Sequence, residues 1–170
     1  ETTRSTSLLV LAGPNSWFPI AWMARRQTAT ARSTTEAEVA SLAMALFGEA
    51  LPMITMWDTI LGRPIDLYIL EDNQATIKIV NRGYSAKLRH MVRNHKIDIG
   101  SVNEVIQSPQ IHLDYIHTSL QSADVFTKAL QPCKWENALA LLGMCTDDRG
   151  IALPAHVVAE GRACAAPGMI

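Results

Sequence analysis

The spacing of apolar residues in this chain changes at Ser33, and this change limits the folds that the chain can adopt. Before it, residues 6–12 and 18–24 form two short apolar runs separated by a Gly-Pro pair. This pattern predicts two consecutive strands joined by a tight turn. After it, alanine, leucine and methionine recur at helical spacing, which predicts a helix that begins at Ser33. Ser33 and Glu36 have the spacing of a capping box at the start of that helix.

Strands and helices alternate along the rest of the chain. The first helix should run to about residue 50, and Pro52 should break or kink it because proline lacks a backbone N–H. Residues 65–70 are β-branched and aromatic enough for a buried strand, and residues 111–116 alternate as a half-exposed strand does. The other predicted helices cover residues 75–80, 85–107, 122–130 and 134–142. This order of elements indicates an α/β fold.

Length, charge and cysteine content limit the possible classes of protein. The 170 residues are 48% hydrophobic, which fits one domain, and we assign it to residues 1–144 with a flexible tail at 145–170. The net charge of −1 means that a local basic patch must hold any polyanionic partner. The three cysteines form no CxxC pair, and no unbroken apolar run approaches the roughly 18 residues that span a bilayer. We therefore expect an intracellular protein without a membrane partner.

Three acidic residues occupy positions where chemistry is plausible in an α/β fold. Glu38 lies in the first turns of the first helix, Asp72 follows the 65–70 strand, and Asp124 lies at the start of a late helix. Strand ends and helix starts converge at one edge of such a sheet. Carboxylates that meet there can bind Mg²⁺, and two ions about 4 Å apart can activate water against a phosphodiester. Taken singly, each acid is more simply explained as a solvated or helix-capping residue.

The strings around these acids resemble the copia-type ribonuclease H domain of retrotransposon polyproteins. The strings are STTEAEVASL (33–42), LEDNQATIKIV (70–80) and HTSLQSADVFTKAL (117–130). They are similar, in this order, to the family motifs STxEAEY, DNQxAI and QLADxFTKxL. The resemblance covers about residues 1–144. It implies a ribonuclease H-like mixed sheet with flanking helices, and hydrolysis of the RNA strand of RNA·DNA hybrids. It also implies a reverse transcriptase domain upstream, and a cytoplasmic particle or the nucleus as the location.

The resemblance implies a set of site residues that is incomplete in this sequence. The family uses Asp, Glu, Asp and Asp, and the last three carry over onto Glu38, Asp72 and Asp124, which would hold two Mg²⁺ or Mn²⁺ ions. Glu36 is the rival of Glu38, but Glu38 directly precedes the apolar helical run and Glu36 suits the capping role. The first aspartate of the family lies on a central first strand, whereas this sequence has no aspartate before Asp58. We therefore expect the first strand to be absent and the isolated chain to be weak or inactive.

A basic segment, residues 78–96, follows Asp72 and contains no acidic residue. Its cations are Lys78, Arg82, Lys87, Arg89, Arg93 and Lys96. Such a segment can neutralise backbone phosphates and hold a hybrid duplex by its shape, although a solvated helix face is the alternative. The rival to an enzyme is a non-catalytic remnant of a retrotransposon that binds nucleic acid through this segment, or that serves only as structure.

Overall fold

A computed structural model describes residues 3–13, 16–126, 131–142 and 144, and within them the chain is a mixed α/β protein. The strands are β1 (Arg4–Gly13), β2 (Ser16–Arg26), β3 (Leu67–Glu71) and β4 (Ile111–Tyr115). The α-helices are α1 (Thr34–Ala45), α2 (Leu51–Leu61), α3 (Gln74–Arg82), α4 (Met91–Asn94), α5 (Ile99–Ile106) and α6 (Trp135–Leu141). A π-helical turn covers Leu46–Ala50, and 3₁₀ turns cover Ala86–Leu88, Thr118–Leu120, Ser122–Phe126 and Pro132–Lys134. The predicted tail at 145–170 lies outside the described residues.

The first two strands form the predicted antiparallel hairpin, and they are longer than the apolar runs that indicated them. The pairing extends from Arg4 opposite Arg26 to Gly13 opposite Ser16, with a register shift after Leu9. Gln27 connects this hairpin to α1 by hydrogen bonds. Its buried Nε2 donates to Ser5 Oγ on β1 and to the Ala37 carbonyl on α1, each at 2.9 Å. The hairpin and the start of α1 therefore form one packed unit.

The first helix begins where the sequence predicts, but it does not break at Pro52. Ser33 Oγ accepts the Glu36 N–H at 3.1 Å, which confirms the N-cap. The helix then continues through the π-helical turn into α2, and Pro52 lies in the first turn of α2. Proline is tolerated there because the π turn changes the hydrogen-bonding pattern just before it, so its missing N–H costs little.

The continuous helix Thr34–Leu61 also corrects the expectation about membrane-spanning length. It has 28 residues and is long and apolar enough to cross a bilayer by length and composition. The expectation considered unbroken apolar runs, which Ser41, Gly48 and Glu49 keep short, whereas the mean hydropathy of the whole helix stays high. Buried core helices pass the same test. The α1 half does pack as a core helix, burying Val39, Ala40 and Leu42, whereas no residue of α2 is fully buried.

The strands form two separate sheets, so the expectation of one mixed sheet was wrong for the described residues. β1 pairs only with β2, and β3 pairs in parallel with β4 from Leu67 opposite Ile111 to Glu71 opposite Tyr115. The physical reason is that β1 and β3, among the described strands, share no backbone hydrogen bonds that would join the two pairs. Each of these two strands thus keeps one unpaired edge within the part of the chain that the structure describes.

The predicted helix over residues 85–107 is also wrong, because the chain breaks it into three pieces. After the 3₁₀ turn Ala86–Leu88 and the short α4, Lys96 adopts a left-handed conformation with φ 59°. Asp98 then starts α5 by accepting the Gly100 N–H at 3.1 Å. The predicted helix over 122–130 is likewise a 3₁₀ turn as far as Phe126, and residues 127–130 lie outside the described residues.

The hydrophobic core lies among α1, α3, α5 and β4, together with the segment that leads into α4. Its fully buried members include Val39, Leu46, Val80, Met91 and Val102. The core therefore joins the start of α1 to the end of α3 and to the basic segment. This packing brings α1, which carries Glu36 and Glu38, next to the basic segment.

Candidate functional site

Glu71, at the carboxyl end of β3, is affected by the negative charges of Glu38 and Asp72. Glu71 is the last residue of that strand and is only 9% exposed. Burial raises the pKa of Glu71 to about 8, with the negative charges of Glu38 and Asp72 adding to the rise and the Asn73 N–H, which donates at 3.1 Å, opposing it. We call Glu38, Glu71 and Asp72 the acid group. Two of its members were candidates from the sequence, and Glu71 was missed.

The local backbone explains why Asp72 lies at this end of the strand. Asn73 is the N-cap of α3, and its side chain accepts the N–H groups of Ala75 and Thr76 at 3.0 and 3.2 Å. The Glu71 carbonyl accepts the Ile116 N–H at 3.1 Å. Asp72 therefore lies in a short turn that hydrogen bonds fix on both sides. The string Asp-Asn-Gln is the local signal for this strand-to-helix turn.

Asp124 lies on a different element, whose start is attached to the same strand. It belongs to the 3₁₀ turn Ser122–Phe126, which contacts β1. Just before that turn, Gln121 Nε2 donates to the Leu70 carbonyl at 3.1 Å. Among residues 3–13, 16–126, 131–142 and 144, no three His, Cys, Asp or Glu side chains are placed to hold a metal ion. That Glu38, Asp72 and Asp124 share one Mg²⁺ or Mn²⁺ site stays a prediction.

Glu36 has a different role from the capping partner that the sequence predicts. Its carboxylate accepts the Arg32 N–H at 3.0 Å through Oε2, and the Nε2 atoms of His90 and His95 each lie 3.0 Å from Oε1. Burial acts to raise the pKa of Glu36, but the Arg32 N–H and the two histidines outweigh it and hold that pKa below its ordinary value. His95 is 59 residues away in the sequence, and no local pattern indicates this contact.

The six cations of the basic segment are all exposed. They lie on α3, on the 3₁₀ turn Ala86–Leu88, on α4 and in the loop after it. Leu88 and Met91 of the same segment are buried in the core, so the chain alternates between anchoring and exposed positions. None of these cations forms an ion pair with any carboxylate in the part of the chain that the structure describes. Phosphate binding by this segment stays a prediction.

Comparison with known proteins gives a distant relative. The chain is 27% identical over 128 residues to the "Retrovirus-related Pol polyprotein from transposon RE1" of Arabidopsis thaliana. This similarity supports an origin in a retrotransposon polyprotein. The aligned part is 74% of this chain and 8% of that relative, so the chain spans less than a tenth of the relative's length. No protein-family model matches it, and no solved structure matches it significantly.

Proposed function

We propose that this chain derives from the ribonuclease H domain of a copia-type retrotransposon polyprotein. In the polyprotein, the domain hydrolyses the RNA strand of RNA·DNA hybrids formed during reverse transcription. The observation that carries the proposal is the position of buried Glu71 at the carboxyl end of β3, next to Asp72 in the chain, with the negative charges of Glu38 and Asp72 acting on it. The three ordered motifs and the similarity to a Pol polyprotein support the same origin.

The negative charge of the acid group would favour a divalent cation, which would have to draw its ligands together, because no three such side chains are placed to hold a metal ion in the part of the chain that the structure describes. Like charges held together repel, and the raised pKa of Glu71 reflects this repulsion together with burial. A hard cation such as Mg²⁺ or Mn²⁺ prefers carboxylate oxygens and relieves such repulsion. We propose that Glu38, Asp72 and Asp124 hold the ions. When bound, two divalent ions supply an activated water and stabilise the leaving oxygen of the phosphodiester.

The residues of the chain position this chemistry. Glu38 projects from the first turns of a helix that Ser33 caps, and Asp72 lies in the turn that Asn73 fixes. Both side chains are partly exposed, so a phosphate group can reach them. The basic segment would hold the duplex by its backbone phosphates, without reading the base sequence. The products would carry 3′-hydroxyl and 5′-phosphate ends.

Hybrid cleavage tests the proposal. We expect no cleavage by the 170-residue chain in Mg²⁺ or Mn²⁺, because the first aspartate of the family set has no counterpart before Asp58. We expect cleavage once the chain is extended upstream by an aspartate-bearing strand. Such a strand would supply the bridging ligand and could pair with the open edges of β1 and β3. The assay measures RNA fragments from an end-labelled hybrid.

Asp72→Asn in the extended chain is the control for contaminating nuclease, and it should reduce cleavage to background. Metal-dependent cleavage by the 170-residue chain that Asp72→Asn abolishes would show that another group replaces the bridging aspartate. Absence of cleavage by the extended chain would contradict the enzymatic proposal.

A non-catalytic nucleic-acid-binding remnant is the second candidate. It is favoured by the exposed cations, and by the absence of a group of metal ligands among the residues with a described placement. Binding of the hybrid by the extended chain without any cleavage would select this candidate. Cleavage would select the enzyme.

Salt dependence tests the nucleic-acid-binding part that both candidates share. Replacing Lys87, Arg89 and Arg93 with alanine should lower the slope of log affinity against log salt by about 3, because each lost phosphate contact removes about 1. The exposed cations Arg63 and Lys134 lie outside the segment, so the Arg63→Ala and Lys134→Ala double variant is the matched control. An unchanged slope in the triple variant would remove the segment from the proposal.

A further inference from the structure

Burial of the charged Glu36 side chain is energetically costly, and hydrogen-bonding groups from distant parts of the chain offset this cost. The side chain is 1% exposed, and an unpaired carboxylate in such a place would cost several kcal/mol. One oxygen is occupied by the N–H of Arg32 next to the helix start. The other faces the two histidines, which belong to the basic segment. An apolar side chain would fill the same space at lower cost, so a specific arrangement is the better explanation for the carboxylate.

The two histidines flank a helix that is too short to be stable alone. His90 precedes α4 and His95 follows it. His95 Nε2 hydrogen bonds to Glu36, whereas His90 Nε2 lies at the same 3.0 Å without hydrogen-bonding geometry, so Glu36 contacts both ends of the four residues Met91–Asn94 but holds the His95 end more firmly. A single helical turn gains too little from its own hydrogen bonds to offset the cost of nucleation. The conformation of α4 must therefore depend on tertiary contacts such as these.

The side chains of this short region point in two directions. His95, Leu88 and Met91 are directed inward, with side-chain exposure of at most 6%. Of the six exposed positions in residues 87–96, four carry cations, Lys87, Arg89, Arg93 and Lys96, and the other two are Val92 and Asn94. Whatever fixes the inward side chains thus also fixes the spacing of the cations on the surface. Glu36 lies two residues before Glu38 on α1, so the fixed point adjoins the acid group.

We propose that Glu36, His90 and His95 form a positioning link that orders the cations of the basic segment before a nucleic acid duplex arrives. Because the link orders these side chains and their backbone in advance, the binding free energy does not have to offset the entropic cost of ordering them. It also holds the phosphate-binding surface at a set place relative to the start of α1. The inference rests on the nucleic-acid-binding part of the proposed function, and it assigns positioning roles to residues that touch neither duplex nor metal.

The rival explanation is that burial of Leu88 and Met91 is enough to place the segment. Variants that break the link while keeping both apolar anchors separate the two explanations. His95→Ala removes the contact at one end of α4. His95→Gln keeps an N–H donor near the position of Nε2 and should restore it. His112→Ala is the matched control, because His112 faces Asp66 at 3.7 Å and is 38% exposed.

The experiment uses the 170-residue chain and two readouts. Hydrogen exchange reports whether amides of residues 86–95 stay protected, with α3 and α5 amides showing that the rest remains folded. Fluorescence anisotropy with a labelled RNA·DNA hybrid gives affinity at several salt concentrations. We expect His95→Ala to lose protection in residues 86–95 and to bind about three- to tenfold more weakly. The salt slope should be unchanged, because no cation is removed. His95→Gln and His112→Ala should behave like the wild type.

Each other outcome overturns the inference. Retained protection with retained affinity would show that Leu88 and Met91 suffice. Lost protection with unchanged affinity would make the link purely structural. Equal losses in His95→Gln and His95→Ala would show that the hydrogen-bonding group is irrelevant. A wild-type chain that does not bind the hybrid would overturn the binding role of the segment and, with it, this inference. That failure is distinct because it appears without any substitution.

Discussion

Glu36 and Glu71 are both buried, yet their surroundings shift their pKa values in opposite directions. Glu36 faces two histidines and a backbone N–H, and its pKa lies below the ordinary value. Glu71 lies beside Glu38 and Asp72, and its pKa rises to about 8. Burial opposes the charged form at both places. The partners therefore decide which carboxylate is charged at neutral pH.

This difference distinguishes Glu36, whose carboxylate has a structural role, from Glu71, whose surroundings favour a bound cation. The partners of Glu36 come from the protein itself, so its charge is compensated as the chain folds. Glu71 accepts a hydrogen bond from the Asn73 N–H, which opposes the effect of burial and of two negative neighbours. A region that collects negative charge in this way is stable only with a proton or a cation. A cation bound from solution would compensate this negative charge most directly.

Removal of the Glu36 carboxylate should produce the largest effect on stability. Glu36→Ala leaves the Arg32 N–H and the His95 imidazole without their acceptor and removes the carboxylate oxygen that lies 3.0 Å from His90 Nε2, so we expect the free energy of unfolding to fall by about 3–5 kcal/mol. Urea denaturation at pH 7 measures it. Glu49→Ala is the matched control, because Glu49 accepts one hydrogen bond from Ser7 at 3.0 Å and is partly exposed. A loss no larger than in Glu49→Ala would contradict the assigned difference.

The pH dependence of stability tests the Glu71 side of the comparison. Its pKa is about 8 in the folded chain against an ordinary value of 4.5, so between these pH values the folded state keeps a proton that the unfolded state releases. The free energy of unfolding should therefore fall as pH rises from about 4.5 to 8. Glu71→Gln should remove this part of the slope, a change on the order of a few kcal/mol across the window.

The measurement compares urea midpoints of wild type and Glu71→Gln from pH 4 to pH 9 in EDTA. The difference between the two curves isolates Glu71 from the other groups that titrate in this range. Parallel curves would show that the acid group is not crowded in solution.

Local patterns were sufficient for the elements that depend on neighbouring residues. The apolar runs before Ser33 predicted the hairpin, and Ser33 itself marked the start of α1. The strands β3 and β4 were also predicted within two residues at each end. The break before α5 had a local signal, because Asp98 followed by Gly100 is a capping pattern. It was missed because the basic composition suggested one continuous helix.

The features that sequence could not predict depend on packing over long separations. The histidine partners of Glu36 come together only when the core joins α1 to the basic segment. The burial of Glu71 depends on β4, whose residues begin 40 positions later, at Ile111. Whether the two strand pairs join in one sheet depends on what lies between β1 and β3. No local sequence pattern indicates whether the two strand pairs join. Among the acidic residues, the sequence indicated Asp72 and Glu38. It did not indicate Glu71, whose raised pKa reflects the negative charges of the other two as well as burial.

The smallest expected effect is stabilisation by a divalent cation, and it sharpens the comparison most directly. Mn²⁺ bound at the acid group should raise the free energy of unfolding by about 1.4 kcal/mol when its concentration is ten times its Kd. The increment should be larger at pH 8 than at pH 5, because a protonated Glu71 at pH 5 already relieves the repulsion. Asp72→Asn should lose the increment. Glu36→Gln should keep it, because the partners of Glu36 already compensate its charge. Equal increments in Asp72→Asn and wild type would place the cation elsewhere, and the crowded carboxylates would then be no evidence for a metal site.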